Sequence, residues 1–145
     1  MSDVLTLDQI RVPGTARSKD DAIRESGEML VDVGAVSPEY IDAMFEREKS
    51  VSTYMGNYLA IPHGTNESKD SIKRSALSVI RYDQPIDWDG NEVLFALGIA
   101  GYQGGHMDIL SRIAIVFSDT DEVDKLVAAR SAQEIFDLLN AVNEE

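Results

Sequence analysis

At 145 residues the chain is long enough for one globular domain, which buries roughly 68–70% of the surface its unfolded form exposes, and too short for two. Apolar residues make up 43% of it and charged residues 27%, which supplies a core and excludes the low hydrophobicity of a disordered chain. Thirteen Lys and Arg against 26 Asp and Glu leave a net charge of −13, the wrong sign for phosphate backbones or anionic lipid, so the expected partner is a protein and not nucleic acid.

At the N-terminus no basic segment leads an apolar run, and no stretch reaches the roughly 18 apolar residues of a membrane span. The expectation is a cytoplasmic protein with no membrane insertion. Val4 to Val12 alternates loosely and reads as an early strand ended by Pro13-Gly14. Ser18 followed by Asp21 resembles a capping box, and Ala22, Ile23, Ser26, Met29, Leu30 and Val33 keep helical spacing up to Gly34. Ser37 as a cap, with Pro38 at the first helical position, opens a second helix carrying Tyr40, Ile41, Met44 and Phe45 and ending near Lys49. Asn57 to Pro62 reads as a short strand, with Pro62 and His63 just past its end because proline cannot sit inside a central ladder.

Glu67 to Lys73 suits a short surface helix, Ala76 to Tyr82 a strand, and Pro85 to Asn91 a turn around Asp89-Gly90. Val93 to Ala100 is a continuous apolar run, expected to be a strand buried on both faces. After a Gly101–Gly105 loop, His106 begins a helix with Met107, Leu110, Ile113, Ala114 and Phe117 on its buried side. Val123, Leu126 and Val127 predict a further short helix, and Ser131 with Glu134 caps a last one through Ile135, Leu138 and Leu139. The predicted class is α/β, a mixed parallel and antiparallel sheet flanked by helices, with residues 1–145 as a single domain.

The chain has only two histidines, and both fall in glycine-containing loops at element ends. In Pro62-His63-Gly64 a residue of fixed φ and a residue without a side chain flank the imidazole. From the tripeptide alone, a presented histidine and one that merely decorates a turn both remain open. His106 follows Gly104-Gly105 at a helix start, where orphan N–H groups favour an anion; a glycine hinge feeding a core helix is the alternative. Arg47 continues the stripe of Tyr40 and Met44, offering a fork of donors suited to phosphate or carboxylate, although Glu46 and Glu48 stand ready to neutralise it. Ser52, Thr53 and Tyr54 add loop hydroxyls between Arg47 and the histidine strand.

Other chemistries lose their motifs. No phosphate-binding glycine loop ending in Lys-Ser/Thr, no GxGxxG and no GxSxG elbow occurs. The absence of cysteine excludes disulfides, thiolate metal sites and a cysteine nucleophile, and no histidine spacing matches a metal helix. Neither a metal nor a cofactor is expected. Asp87, Asp89, Asp119, Asp121 and Glu122 read as solvated loop residues.

Arg47-Glu48-Lys49, Ser52-Thr53-Tyr54-Met55-Gly56-Asn57 and Ala60-Ile61-Pro62-His63-Gly64-Thr65, with His106 downstream, resemble the enzyme IIA component of the bacterial phosphotransferase sugar-uptake system, its mannitol branch above all. The likeness runs from about residue 5 to the C-terminal helix. The resemblance implies a phosphoryl carrier. His63 would accept the group from phosphohistidine on the carrier protein HPr and deliver it to a cysteine of a IIB (IICB) component during mannitol uptake. Arg47 and His106 would support it, with Thr53, Asn57 and Gly64 as further contacts of the phosphoryl group. Some mannitol-branch members carry a carboxylate where this chain has Asn57, whose amide is neither base nor anion, so no acid–base role is assigned to it. The alternatives are a fructose-type or regulatory IIA domain and a non-catalytic anion-binding module of the same fold. Met55, Tyr58 and Tyr102 are candidates for an apolar docking patch around His63, or else core residues.

Overall fold

A computed structural model describes residues 4–102 and 106–140. Its strands are β1 Ile10–Arg11, β2 Tyr54–Gly56, β3 Leu59–Ala60, β4 Ala76–Trp88 and β5 Asn91–Ala100; its helices are α1 Lys19–Asp32, α2 Glu39–Ser50, α3 His106–Phe117, α4 Thr120–Ala128 and α5 Ala132–Leu139. The strands form one mixed sheet in the order β1-β4-β5-β3-β2. β4 and β5 are an antiparallel hairpin; β1 joins β4 and β3 joins β5 in parallel, and β2 completes the edge antiparallel to β3. The expected α/β class is the one that forms.

Alternation along the strands divides the interior into two cores. Leu59 and Ile61 in and beyond β3, with Phe95, Leu97 and Ile99 on β5, pack against Ile109, Ile113 and Phe117 of α3 and against apolar residues of α4 and α5. Ala60, Ala96 and Ala100 point the other way, toward Ile23, Met29 and Leu30 of α1 and Tyr40 and Met44 of α2. A strand covered on both faces has no polar side to alternate with, which is why β5 reads as an unbroken apolar run.

Helix starts follow local chemistry. Ser18 accepts from Asp21 N–H at 3.2 Å and Ser131 from Glu134 N–H at 3.2 Å, as the capping pattern predicts. Asp119, expected to be a solvated loop residue, caps α4 by accepting from Asp121 and Glu122 N–H. Ser37 is a correction: α2 starts at Glu39 with Pro38 in the cap position, one residue later than expected, and no side-chain cap bond is made there. The Ser37 hydroxyl instead serves the Glu39 carboxylate, holding that group below the ordinary carboxylate range.

Three further expectations change. The N-terminal stretch is a 3-10 turn, Leu7–Gln9, before the two-residue β1. The buried Gln9 side chain donates to the carbonyls of Val4 and Leu77, both at 2.7 Å, a job for a turn residue and not for a strand. β4 runs on to Trp88, past the expected start of the turn at Pro85, because Pro85 falls in a pairing irregularity between Arg81 and Ile86. The turn itself is at Asp89-Gly90, as expected, with φ of 56° and 94°. Finally, Asn57 opens no strand: with Tyr58 it forms the left-handed turn between β2 and β3.

Candidate functional site

His63 lies where β3 leaves the sheet. Beyond Ala60 the chain keeps beside β5: Ile99 N–H donates to Pro62 C=O at 3.0 Å, and His63 pairs with Ile99 in parallel. Leu59 and Ile61 belong to the core under α3, so alternation sends the His63 side chain to that same face. The ring is half-buried, and its Nδ1–H donates to Ile61 C=O at 2.7 Å. A proton on Nδ1 leaves the Nε2 lone pair of a neutral ring as the nucleophile.

α3 begins at His106, six residues after β5 ends at Ala100, at the His63 end of the sheet. The His106 ring and Gln103–Gly105 lie outside the described positions.

Arg47 is half-buried near the end of α2, and its Nη1 donates to Val51 C=O at 2.8 Å. Tyr54 pairs with Ala60, and Ile61 N–H donates to Thr53 C=O at 3.1 Å. Val51 caps α2, its N–H on Arg47 C=O at 3.4 Å, so the guanidinium is tied to the segment that leads from α2 to Thr53.

Thr53 and Asn57 are placed differently from what the resemblance implies. Thr53 is buried, and both its N–H and its hydroxyl donate to the Glu48 carboxylate, at 2.9 and 2.5 Å, so its donors face inward. Asn57 belongs to the other end of the strands. Leu59 pairs with Phe95 where His63 pairs with Ile99, a separation of about 13 Å along β5, and Asn57 lies farther still. Its amide donates to Phe117 C=O at 2.7 Å, tying the hairpin to the C-terminal end of α3. Met55 and Tyr58 share that hairpin and are exposed, so they are neither core residues nor neighbours of His63; Tyr102 and Met107 are exposed at the His63 end.

Two residues of α2, read from the sequence as a face residue and a neutraliser of Arg47, have other partners in the structure. Glu48 is 7% exposed and does not pair with Arg47: besides Thr53 it takes Trp88 Nε1–H at 3.1 Å and Lys19 Nζ at 3.4 Å. Tyr40 donates to Ile99 C=O at 2.6 Å and accepts from Gly64 N–H at 2.9 Å. Burial pushes its hydroxyl up to about 12, so it keeps its proton at physiological pH, although the Gly64 bond acts in the opposite sense. The available signal was the stripe Tyr40, Met44, Glu48 at four-residue spacing, a carboxylate on an apolar face.

Among the described residues no group of three or more His, Cys, Asp or Glu side chains is arranged to hold a metal ion, and no helix is long and apolar enough to cross a membrane. The family of the phosphoenolpyruvate-dependent sugar phosphotransferase system, EIIA 2, matches residues 3–142. The chain belongs to this family. It is therefore a phosphotransferase component, a phosphoryl carrier of a sugar phosphotransferase system. It is 51% identical over 141 residues to the mannitol-specific phosphotransferase enzyme IIA component of Halalkalibacterium halodurans, covering 97% of each chain. Enzyme IIAMTL from Escherichia coli, solved in complex with phosphorylated enzyme IIBMTL, superposes with a TM-score of 0.89 at 30% identity, over 94% of this chain and 97% of that one. The crystal structure of IIA mannitol from Escherichia coli gives 0.86 at 31% identity, over 93% and 98%.

Proposed function

We propose that this chain is a mannitol-type IIA phosphocarrier whose His63 Nε2 takes the phosphoryl group from phosphohistidine on HPr and passes it to a cysteine of a IIB component. The observation that carries this reading is the Nδ1–H bond to Ile61 C=O, which fixes the ring and leaves Nε2 as its nucleophilic atom. In the first step the Nε2–P bond forms as the donor's N–P bond breaks, and the donor imidazole leaves. The phosphorylated ring then carries substituents on both nitrogens and a positive charge, which the Ile61 carbonyl stabilises through the same hydrogen bond. In the second step the cysteine thiolate attacks phosphorus, the S–P bond forms as the Nε2–P bond breaks, and the electron pair returned to Nε2 restores the neutral form of His63. Phosphoryl transfer depends on in-line placement and on neutralising the equatorial oxygens. Arg47 has further guanidinium donors beyond the one on Val51, and it supplies that neutralisation together with His106 at the start of α3. Gly64 supports the loop through its N–H bond to Tyr40. Mannitol is the assignment because the relatives that match along their full length carry that name.

The test is intact mass after incubation with phosphoenolpyruvate, enzyme I and HPr, for wild type and His63→Ala. The expected result is one acid-labile phosphoryl group on the wild type and none on the variant. Chasing the phosphoprotein with a mannitol IIB domain should return it to its starting mass. A wild type that takes no group while the controls are active overturns the carrier reading at His63. A phosphoprotein that IIB cannot discharge overturns the mannitol transport role and favours the regulatory one.

A further inference from the structure

His63 sits on a strand whose two neighbouring ladders are both interrupted beside it, and helix α2 causes both interruptions. On the β2 side, Thr53 and Ile61 are so placed that an antiparallel pair would exchange two bonds. One is present, from Ile61 N–H to Thr53 C=O at 3.1 Å. The reciprocal donor, Thr53 N–H, turns instead to Glu48 Oε2 at 2.9 Å. The Ile61 carbonyl that would have received it faces His63 and accepts from Nδ1–H at 2.7 Å. On the β5 side, Ile99 N–H reaches Pro62 C=O at 3.0 Å, and a parallel ladder would next place Gly64 N–H on Ile99 C=O. The phenol of Tyr40 stands between those two groups and bonds to both, at 2.9 and 2.6 Å.

The detours are built in. Glu48 is held from three directions, by Thr53, by Trp88 Nε1–H and by Lys19, so its oxygens have little freedom to release the Thr53 amide. Tyr40 is 2% exposed, and its ring lies so close to Gly64 that a Cβ there would come within 2.5 Å of Cε1. An absent side chain at Gly64 is what lets the phenol reach the backbone at all. Without Glu48, the Thr53 amide and the imidazole would compete for one carbonyl. Without the Tyr40 hydroxyl, the strand past His63 would close directly on β5 and shift the ring.

We propose that Tyr40 and Glu48 are positioning residues for His63: by taking two sheet hydrogen bonds that would otherwise close beside it, they reserve the Ile61 carbonyl for Nδ1–H and hold Nε2 in its attacking position. This rests on the reading of His63 as the phosphorylated residue. Neither side chain needs to touch the phosphoryl group. Displacements of about 1 Å at a reacting atom cost up to about a hundredfold in rate, so small backbone closures suffice.

The experiment uses Tyr40→Phe and Glu48→Gln, which keep shape and change single polar atoms. The first readout is the pair of ring ¹⁵N resonances of His63 in the unphosphorylated protein near pH 8, which report the tautomer without any partner. Wild type should show the Nδ1–H form, and Glu48→Gln a mixture containing Nε2–H. The second is the rate of phosphoryl transfer from phospho-HPr, expected to fall between about tenfold and a hundredfold in kcat for both variants with KM little changed. A KM rise with kcat unchanged would point to docking and overturn the proposal, as would two folded variants with wild-type tautomers and rates within about twofold of wild type. Should Glu48→Gln fail to fold, Tyr40→Phe tests the β5 side by itself, and an Nε2–H tautomer in the wild type overturns the proposal without any variant. If wild-type His63 takes no phosphoryl group, the functional reading fails and the tautomer result still stands or falls separately.

Discussion

Glu25 shows what one buried carboxylate does for this fold. Its Oε2 accepts from Arg11 Nη1, Thr15 N–H and the Thr15 hydroxyl at 2.7, 2.9 and 2.9 Å, and its Oε1 from Ala16 N–H and the Tyr82 hydroxyl at 3.1 and 2.8 Å. Burial pushes its pKa up, but those donors outweigh burial and hold it at about 2, below the ordinary 4.5. A depressed folded-state pKa stabilises the fold fully above pH 4.5, and the contribution disappears as pH falls from 4.5 toward 2. Glu25→Gln is therefore expected to cost about 2–4 kcal/mol at neutral pH, with the gap from wild type closing on acidification. Urea titrations across pH check this, followed by the fluorescence of Trp88, the chain's one tryptophan. Gly64 makes a different prediction. A methyl group there meets Tyr40 Cε1 at 2.5 Å and Ser68 Oγ at 2.6 Å, and the buried ring cannot swing away. Gly64→Ala should lose about 1–3 kcal/mol in the same titration and transfer phosphoryl more slowly, with His63 itself intact.

Elements were legible wherever one local rule decided them. α1 carries its cap, its spacing and Gly34 at φ 76° past its end, and the sequence shows all of them. β5 was legible because burial on both faces leaves an unbroken apolar run. The β2–β3 hairpin was not, since β3 is two residues long and the turn between the strands is Asn57-Tyr58, where a tyrosine takes φ 68°. That conformation is rare for a bulky side chain and gives no glycine to read. The Asp89-Gly90 turn was legible, but its start was set too early at Pro85, because a strand irregularity accommodates a proline that local pattern treats as a break. At the site, Pro62-His63-Gly64 was legible as a histidine just past a strand's end, because proline cannot sit inside a central ladder, but the tripeptide left open whether the ring is presented or only decorates a turn. The inward turn of Thr53 and the remoteness of Asn57 were not. Both follow from α2 and α3 packing on opposite faces of the sheet, which only the tertiary arrangement sets.

Across the whole molecule the acidic surface bears on how a carrier meets its donor. Phosphoryl transfer between two proteins needs an encounter that is fast to form and fast to leave, so a small apolar contact with charge-guided approach suits it better than a large interface. The exposed apolar side chains at the His63 end, Tyr102 and Met107, offer that contact. The net charge of −13 favours a donor with a basic face and disfavours acidic bystanders. Screening shortens the reach of that attraction from about 30 Å at 0.01 M salt to about 8 Å at 0.15 M. The expected outcome is that kcat/KM for transfer from phospho-HPr falls several-fold across this range while kcat at saturating donor stays level, because salt alters the encounter and leaves the geometry around Nε2 unchanged. Stopped-flow transfer at a series of salt concentrations measures both. A kcat/KM independent of salt would assign docking to the apolar contact alone; a fall in kcat would mean that salt reaches the chemical step, and the Arg47 guanidinium, half-buried and held on Val51, would be the group to probe next.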